Sequence, residues 1–441
     1  MSGCDGRLRI MLFFKLDITF AREESRVKTS LGSPNDRVRF GMVGVGGQGS
    51  SLLSQAVQIP GVQCAAACDV YDGRLDLARE IAGEKLPVTR RYQELLDDRE
   101  IDCIVAALPD HWHKRIALEV VSAGKDLYLE KPMTHSVEEG FQLAAACRKS
   151  SRILQVGSQR VDSKLFAKAR ELYQQGAIGQ VSLVENWLGR NDPTGAWQYP
   201  IPVDLSPATV DWETWLGDRP KRPFDPALYT RWRLWKEFGT GLAGDLMVHS
   251  VTGILFVLGL NEAPRRAFAA GGIFRWRDGR DFPDVQSVLF GYGDLPVVIN
   301  MTFNGEMPEM TRFLGSKGIL EITEFALTYT PQPGTETEPS YYADSFAKKV
   351  REDYQAQWHK QHDPAPGKEG ILAASTFRGP SFDWETPHLA NFFRAVRTQE
   401  PVFEDAEFGN QTAIACHMAN QSYFEGGPVR FDAASRQIVR G

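Results

Sequence analysis

Gly44-Val45-Gly46-Gly47-Gln48-Gly49 has the G-x-G-x-x-G spacing of a turn that can approach a pyrophosphate. In such a turn the first glycine allows the tight bend and the second lets backbone come close to the phosphates. The third lets the following helix pack on the preceding strand, and the helix N-terminus offers free N–H donors to an anion. Glycines at a strand–helix turn can also be purely conformational. Asp69, twenty residues after Gly49, favours the binding reading, because it closes the next apolar run where a carboxylate would meet ribose hydroxyls. A 2′-phosphate would set its charge against that carboxylate, so NAD is expected over NADP, with Arg74 the nearest compensating cation.

Two further groups suit work on a substrate. Glu130-Lys131-Pro132 follows an apolar run, Asp126 to Glu130, and ligands of open α/β sheets lie beyond the carboxyl ends of strands. Taken alone, Lys131 reads as a solvated turn lysine. Asp245 and His249 stand four apart, on one face of an otherwise apolar segment, Ala243 to Leu258. A structural Asp–His hydrogen bond would explain the pair, but a carboxylate and an imidazole on one side of an apolar helix also suggest a lined site.

The elements that must position these residues follow from the apolar pattern. Short runs at Val38–Val43, Val62–Cys68, Ile101–Leu108, Asp126–Glu130 and Ile153–Val156 alternate with stretches of helical periodicity. Runs of this kind read as parallel strands buried on both faces, an α/β doubly wound domain over residues 37–157. From residue 158 to 441 the order changes. A helix over Leu165–Gln175 and a strand over Val181–Trp187 precede an irregular stretch, 190–240, rich in proline and tryptophan. Strand-like segments at Ala267–Ile273, Val285–Tyr292, Val297–Phe303 and Ile319–Thr323 then predict an α+β domain on a largely antiparallel open sheet, and residues 386–424 return to helix. Pro331 to Ser340 reads as a polar loop.

Glycine turn, Asp69, Pro109-x-x-x-His113, Ala123-Gly124-Lys125, Glu130-Lys131-Pro132 and Asp245-x-x-x-His249 occur in an order that resembles the glucose–fructose oxidoreductase / inositol dehydrogenase (Gfo/Idh/MocA) family. The likeness runs from about Arg37 to Asp432 and includes a late helix pair, Asn391-Phe392-Phe393 with Ala395-Val396-Arg397, then Ala415 to Asn420. The resemblance implies an N-terminal Rossmann dinucleotide-binding domain, with Gly44, Gly46, Gly47, Gln48, Gly49, Asp69, Pro109, His113, Glu130 and Lys131 toward the cofactor. It implies Lys131, Asp245 and His249 as the catalytic group, and His113 close to the nicotinamide. The residue types agree. Oxidising a secondary alcohol needs a base, which suits His249, and a donor to the developing alkoxide, which suits Lys131. Asp245 would hold a sugar hydroxyl or orient the imidazole. Thr252 stands where many members place a further Asp, which leaves the second substrate hydroxyl without that contact.

The expected function is hydride transfer between NAD and a hydroxyl carbon of a sugar, glycoside or cyclic polyol. One rival is a glycoside hydrolase that oxidises its sugar transiently and re-reduces it with the same NAD. The other is a non-catalytic dinucleotide-binding sensor, which has no need of all three catalytic residues. The resemblance further implies a homo-oligomer, dimer or tetramer, through the open sheet. The chain of 441 residues carries a net charge of −6 and no basic run, so nucleic acid is not an expected partner, and no apolar stretch is long enough to span a membrane. Six cysteines without a CxxC pair indicate neither a disulfide framework nor a zinc knuckle. His111-Trp112-His113 lacks neighbouring carboxylates or cysteines and is not read as a metal pair. Trp212, Trp215, Trp232 and Trp235 suit either the cover of a sheet flank or a face for sugar stacking. Residues 1–36 read as a poorly ordered extension, since Lys15 and Asp17 interrupt the one apolar stretch there. The expected location is the cytoplasm, with export as the alternative.

Overall fold

The computed structural model describes residues 37–332, 339–362, 373–380 and 384–441. The expectations for residues 1–36 and for most of the Pro331–Ser340 loop lie outside the described residues.

Strand β1 (Val38–Val43) is buried at five of its six positions, as a parallel strand covered on both faces must be. It feeds the glycine turn and α1 (Gly47–Ala56). The chain continues through β2 (Val62–Cys68), α2 (Asp72–Ala82), β3 (Val88–Thr89), α3 (Tyr92–Asp97), β4 (Cys103–Ala106), α4 (His113–Ser122), β5 (Asp126–Leu129), α5 (Val137–Ser150) and β6 (Leu154–Val156). The sheet order is β3-β2-β1-β4-β5-β6 and every pairing is parallel, the order of a dinucleotide-binding fold. Strand β3 was not expected from the sequence, because two residues carry no periodicity.

Helix α6 (Lys164–Gln174) and strand β7 (Val181–Gly189) open the second part. The irregular stretch holds the short helices α7 (Trp212–Leu216) and α8 (Pro226–Thr230) and a single 3₁₀ turn, Trp232–Leu234. The apolar segment that follows is not one α-helix: Ala243–Met247 forms a π turn, then α9 (Val248–Leu258) continues. After it come β8 (Arg266–Gly272), β9 (Val285–Tyr292), β10 (Leu295–Thr302), β11 (Met307–Gly315), β12 (Gly318–Thr323), β13 (Ala326–Pro331), α10 (Lys348–His362), β14 (Ser375–Arg378), α11 (Glu385–Thr398), α12 (Ala406–Glu425), β15 (Val429–Asp432) and β16 (Gln437–Arg440). Ten strands order as β14-β13-β12-β11-β7-β10-β9-β8-β15-β16, antiparallel except for the β7–β10 pair. One face packs on α6, α9 and α12 through Phe166, Ile254, Leu255, Phe290, Ile299, Phe313 and Ile414. The other leaves Phe268 and Leu289 exposed, the alternation of an antiparallel sheet covered on one side.

The late helices divide between the two sheets. Helix α12 covers the second, whereas α11 returns to the first, where Leu389, Phe392 and Phe393 join the cluster of Phe40, Met42 and Leu52. Phe393 and Phe40 lie 5.4 Å apart, ring centre to ring centre. Among the described residues no helix is long and apolar enough to cross a membrane.

Candidate functional site

The glycine turn has the geometry its spacing predicts. Gly44 has φ +85°, and a Cβ there would lie 2.2 Å from the Ala107 carbonyl oxygen. A Cβ on Gly49 would lie 2.0 Å from Gly44 O, so α1 and β1 approach as closely as backbone allows. Around Gly47 the space is open. The first turn of α1 has no side-chain cap and no acidic residue, which leaves its N–H groups available to an anion. Asp69 is buried, and its carboxylate accepts from the N–H groups of Val45 (2.8 Å) and Tyr71 (3.0 Å). Arg74 stands 3.7 Å from Asp69 and within 3.4 Å of where a Cβ of Gly46 would be, and it donates to the Tyr229 hydroxyl at 2.9 Å. These residues fit a dinucleotide, which supplies a hydride acceptor when bound.

A cleft of about 940 Å³ runs from this turn to the second sheet. Gly46, Gly47, Gln48, Gly49, Pro109, Glu130 and Lys131 line one end, and Asp245, His249 and Arg160 line it further along. Gly44 and Asp69 line a smaller adjoining pocket with Arg74. Gln48 Nε2 donates to Glu130 Oε1 at 3.2 Å, and burial pushes the Glu130 carboxyl up to about 7 despite the neighbouring Lys131 charge.

Lys131 and Asp245 meet across the two parts of the chain. Lys131 Nζ donates to Asp245 Oδ1 at 2.8 Å and to the Asp245 backbone carbonyl at 2.7 Å. A π turn disturbs the i→i+4 ladder, and this carbonyl lies within it. Arg233 Nε donates to Oδ1 at 3.1 Å and Trp197 Nε1 to Oδ2 at 3.0 Å. Burial alone would raise the Asp245 carboxyl, but the Lys131 and Arg233 charges hold it well below the usual carboxylate range. Asp245 is therefore an ionised anchor for two cations.

His249 is oriented by Ser158. Its Nδ1 lies 2.9 Å from the Ser158 carbonyl oxygen, and a carbonyl only accepts, so Nδ1 carries the proton and Nε2 is the ring's acceptor. Of the two roles expected of Asp245, orienting the imidazole falls to Ser158 instead: the Asp245 oxygens accept from Lys131, Arg233 and Trp197. Burial, with the charges of Lys131 and Arg160, pushes His249 well below the ordinary imidazole value, so the ring is neutral at neutral pH.

His113 is not beside the cleft. It is fully buried, with Nδ1 2.6 Å from Pro132 O and Nε2 3.0 Å from Leu108 O, so it ties the turn after β5 to the turn after β4. His111 Nε2 lies 3.0 Å from Trp215 O, which also accepts from Trp112 Nε1 at 2.9 Å. Of the tryptophans, Trp212 and Trp215 stack at 4.8 Å within a buried aromatic cluster with Tyr71, Tyr229 and Phe238. Trp215 and Trp232 also line the cleft. The sequence reading missed Arg233, Trp197, Ser158 and Arg160. Arg160 pairs with Glu309 at 2.5 Å and lies over the Trp384 ring at 4.0 Å. Single arginines in an irregular stretch carry no spacing signal.

The sheet order and the glycine turn define a Rossmann dinucleotide-binding domain. Residues 38–158 match the Gfo/Idh/MocA family model, described as "Oxidoreductase family, NAD-binding Rossmann fold". A protein named "Glycosyl hydrolase family 109 protein 1" from Shewanella sp. (strain MR-4) is 31% identical over 123 residues, 26% of this chain and 27% of that protein. "Alpha-N-acetylgalactosaminidase" of Shewanella oneidensis is 31% identical over the same shares. The match thus spans 27% of the length of these curated relatives. Scyllo-inositol dehydrogenase from Lactobacillus casei, solved with NAD(H) and scyllo-inositol, superposes with a TM-score of 0.61 over 89% of this chain and 99% of that one, at 16% identity. That likeness is one of fold.

Proposed function

We propose that this protein is a nicotinamide-dependent oxidoreductase that moves hydride between NAD and a hydroxyl carbon of a sugar, glycoside or cyclic polyol. Residues 37–157 hold the dinucleotide and residues 158–441 the substrate. The observation that carries the reading is that Lys131, Asp245 and His249 line the same cleft as the Gly46–Gly49 turn. In the direction of oxidation His249 Nε2 takes the hydroxyl proton as hydride leaves the carbon. Lys131 Nζ, held by Asp245, donates to the same oxygen as charge develops on it. Gly44, Gly46, Gly47, Gln48, Gly49, Asp69, Pro109 and Glu130 face the cofactor, while buried His113 acts from behind, set between the Pro132 and Leu108 carbonyls and donating to one of them.

A second reading has one specific observation in its favour, the 31% identical glycoside hydrolase relatives. There the same groups would oxidise a glycoside transiently, eliminate the aglycone and return the hydride. We read the protein as a cytoplasmic homo-oligomer, supported by five free, buried cysteines among the described residues and by the exposed Phe268 and Leu289 on the open sheet face. The test is to incubate the purified protein with NAD and a panel of cyclic polyols, free sugars and nitrophenyl glycosides. Net formation of NADH supports the oxidoreductase. Release of nitrophenol without net NADH supports the hydrolase. Neither product from any member, with NAD bound, leaves the sensor as the standing account.

A further inference from the structure

Behind the cleft a buried network reaches His249 from the far side. The Ser158 carbonyl accepts from His249 Nδ1, and the Ser158 hydroxyl donates to Glu404 Oε1. Thr252 Oγ1, one turn along α9 from His249, donates to that hydroxyl at 3.0 Å. Glu404 lies between α11 and α12 and is 1% exposed. Its backbone carbonyl accepts from Val156 N–H at 2.9 Å, and the Gln159 N–H faces its carboxyl. One residue thus grips the chain at positions 156, 158 and 159.

The gripped turn needs holding. Gln159 has φ +71°, a region that residues with a side chain rarely adopt. Such conformations persist where the surroundings over-determine them. Glu404 is absent from the lining of the cleft, and the Ser158 hydroxyl links it to the residue whose carbonyl holds His249. The groups facing its carboxyl are His388, with Nε2 3.8 Å from Oε2, Asp162 on the far ring nitrogen of His388 at 2.5 Å, and Glu130.

We propose that Glu404 is a positioning residue for His249: by fixing the Ser158 turn it places the carbonyl that holds the imidazole in its Nδ1–H form, with Nε2 left to accept a proton. The inference rests on the reading of His249 as the base. Burial makes the network unforgiving, since a displaced carbonyl leaves the ring without its partner.

The full-length protein labelled with ¹⁵N-histidine tests it without a known substrate, the His249 signal being assigned by its loss in His249→Gln. At neutral pH the wild-type ring is expected as the neutral Nδ1–H form. Glu404→Ala and Ser158→Ala should both shift that signal toward the other tautomer, while Glu404→Gln, which keeps an acceptor for the Ser158 hydroxyl, restores it. NADH affinity should stay within about twofold in all three, and with any substrate turned over, kcat should fall about tenfold in the two alanine variants at little change in KM. Should Glu404→Ala fail to fold, Ser158→Ala decides. A His249 signal unchanged in the folded alanine variants overturns the positioning role. A shifted signal together with full activity in His249→Ala overturns instead the assignment of the base.

Discussion

At Asp245 one buried carboxylate serves three donors, Lys131, Arg233 and Trp197. Two cations around a single anion leave a positive surplus at the cleft, which suits an oxygen gaining negative charge. Burial, with the charges of Lys131 and Arg160, keeps His249 neutral. Its contribution to the pH–rate profile follows: a base whose proton affinity is lowered stays competent as pH falls through about 6.5, the ordinary imidazole value, and fails only well below it. His249→Ala should therefore lose at least about a hundredfold in kcat and lose the acid limb, read from kcat/KM between pH 4 and 8. If the Asp69 carboxylate meets the ribose, NAD should bind over NADP by about tenfold, with Arg74 beside it softening the repulsion of a 2′-phosphate. Asp69→Ser should narrow or reverse that ratio in parallel cofactor titrations. Glu404 gives a stability test. Burial raises its carboxyl to about 8, so whatever it contributes is present below about pH 4.5 and is lost as pH rises through about 8. Glu404→Gln cannot ionise, and in urea unfolding its stability relative to wild type should improve from pH 5 to pH 9.

At the scale of elements, the π turn over Ala243–Met247 is what brings Asp245 to Lys131 while α9 carries His249 to Ser158. A four-residue spacing in the sequence placed both groups on one side, yet it could not reveal the widened turn, because apolar periodicity reads the same through five residues of either helix type. Likewise β1 and β2 were legible in the sequence, since both are unbroken runs of mostly apolar residues, β1 buried at five of six positions. Helix α10 was not: it is charged throughout, with only Trp358 buried. The allegiance of α11 was also hidden, because an apolar stripe does not say which sheet it meets. Phe393→Ala tests that allegiance. Loss of this fully buried ring should cost about 3–5 kcal/mol and lower NAD affinity through the first sheet, seen as an earlier urea midpoint that added NAD partly restores.

Across the whole molecule, the proposed site lies where two sheets of different character face one cleft. The parallel sheet brings the glycine turn, Glu130 and Lys131 to its carboxyl edge, and the antiparallel sheet carries the helix bearing Asp245 and His249. Motif order made the first sheet and the three catalytic candidates legible. The shell that orients them, Arg233, Trp197, Ser158 and Glu404, was not, since each meets its partner only through long-range folding.

The central claim is that Lys131 acts on the reacting oxygen and not on the dinucleotide. Lys131→Ala leaves Asp245 paired with Arg233 and Trp197, so the variant should fold. The decisive measurement is NADH formation by this variant and the wild type on a substrate drawn from the panel, with the Kd for NAD determined on the same samples. Turnover should fall by at least about a thousandfold while the Kd stays within about threefold. Near-normal kcat in Lys131→Ala would contradict it.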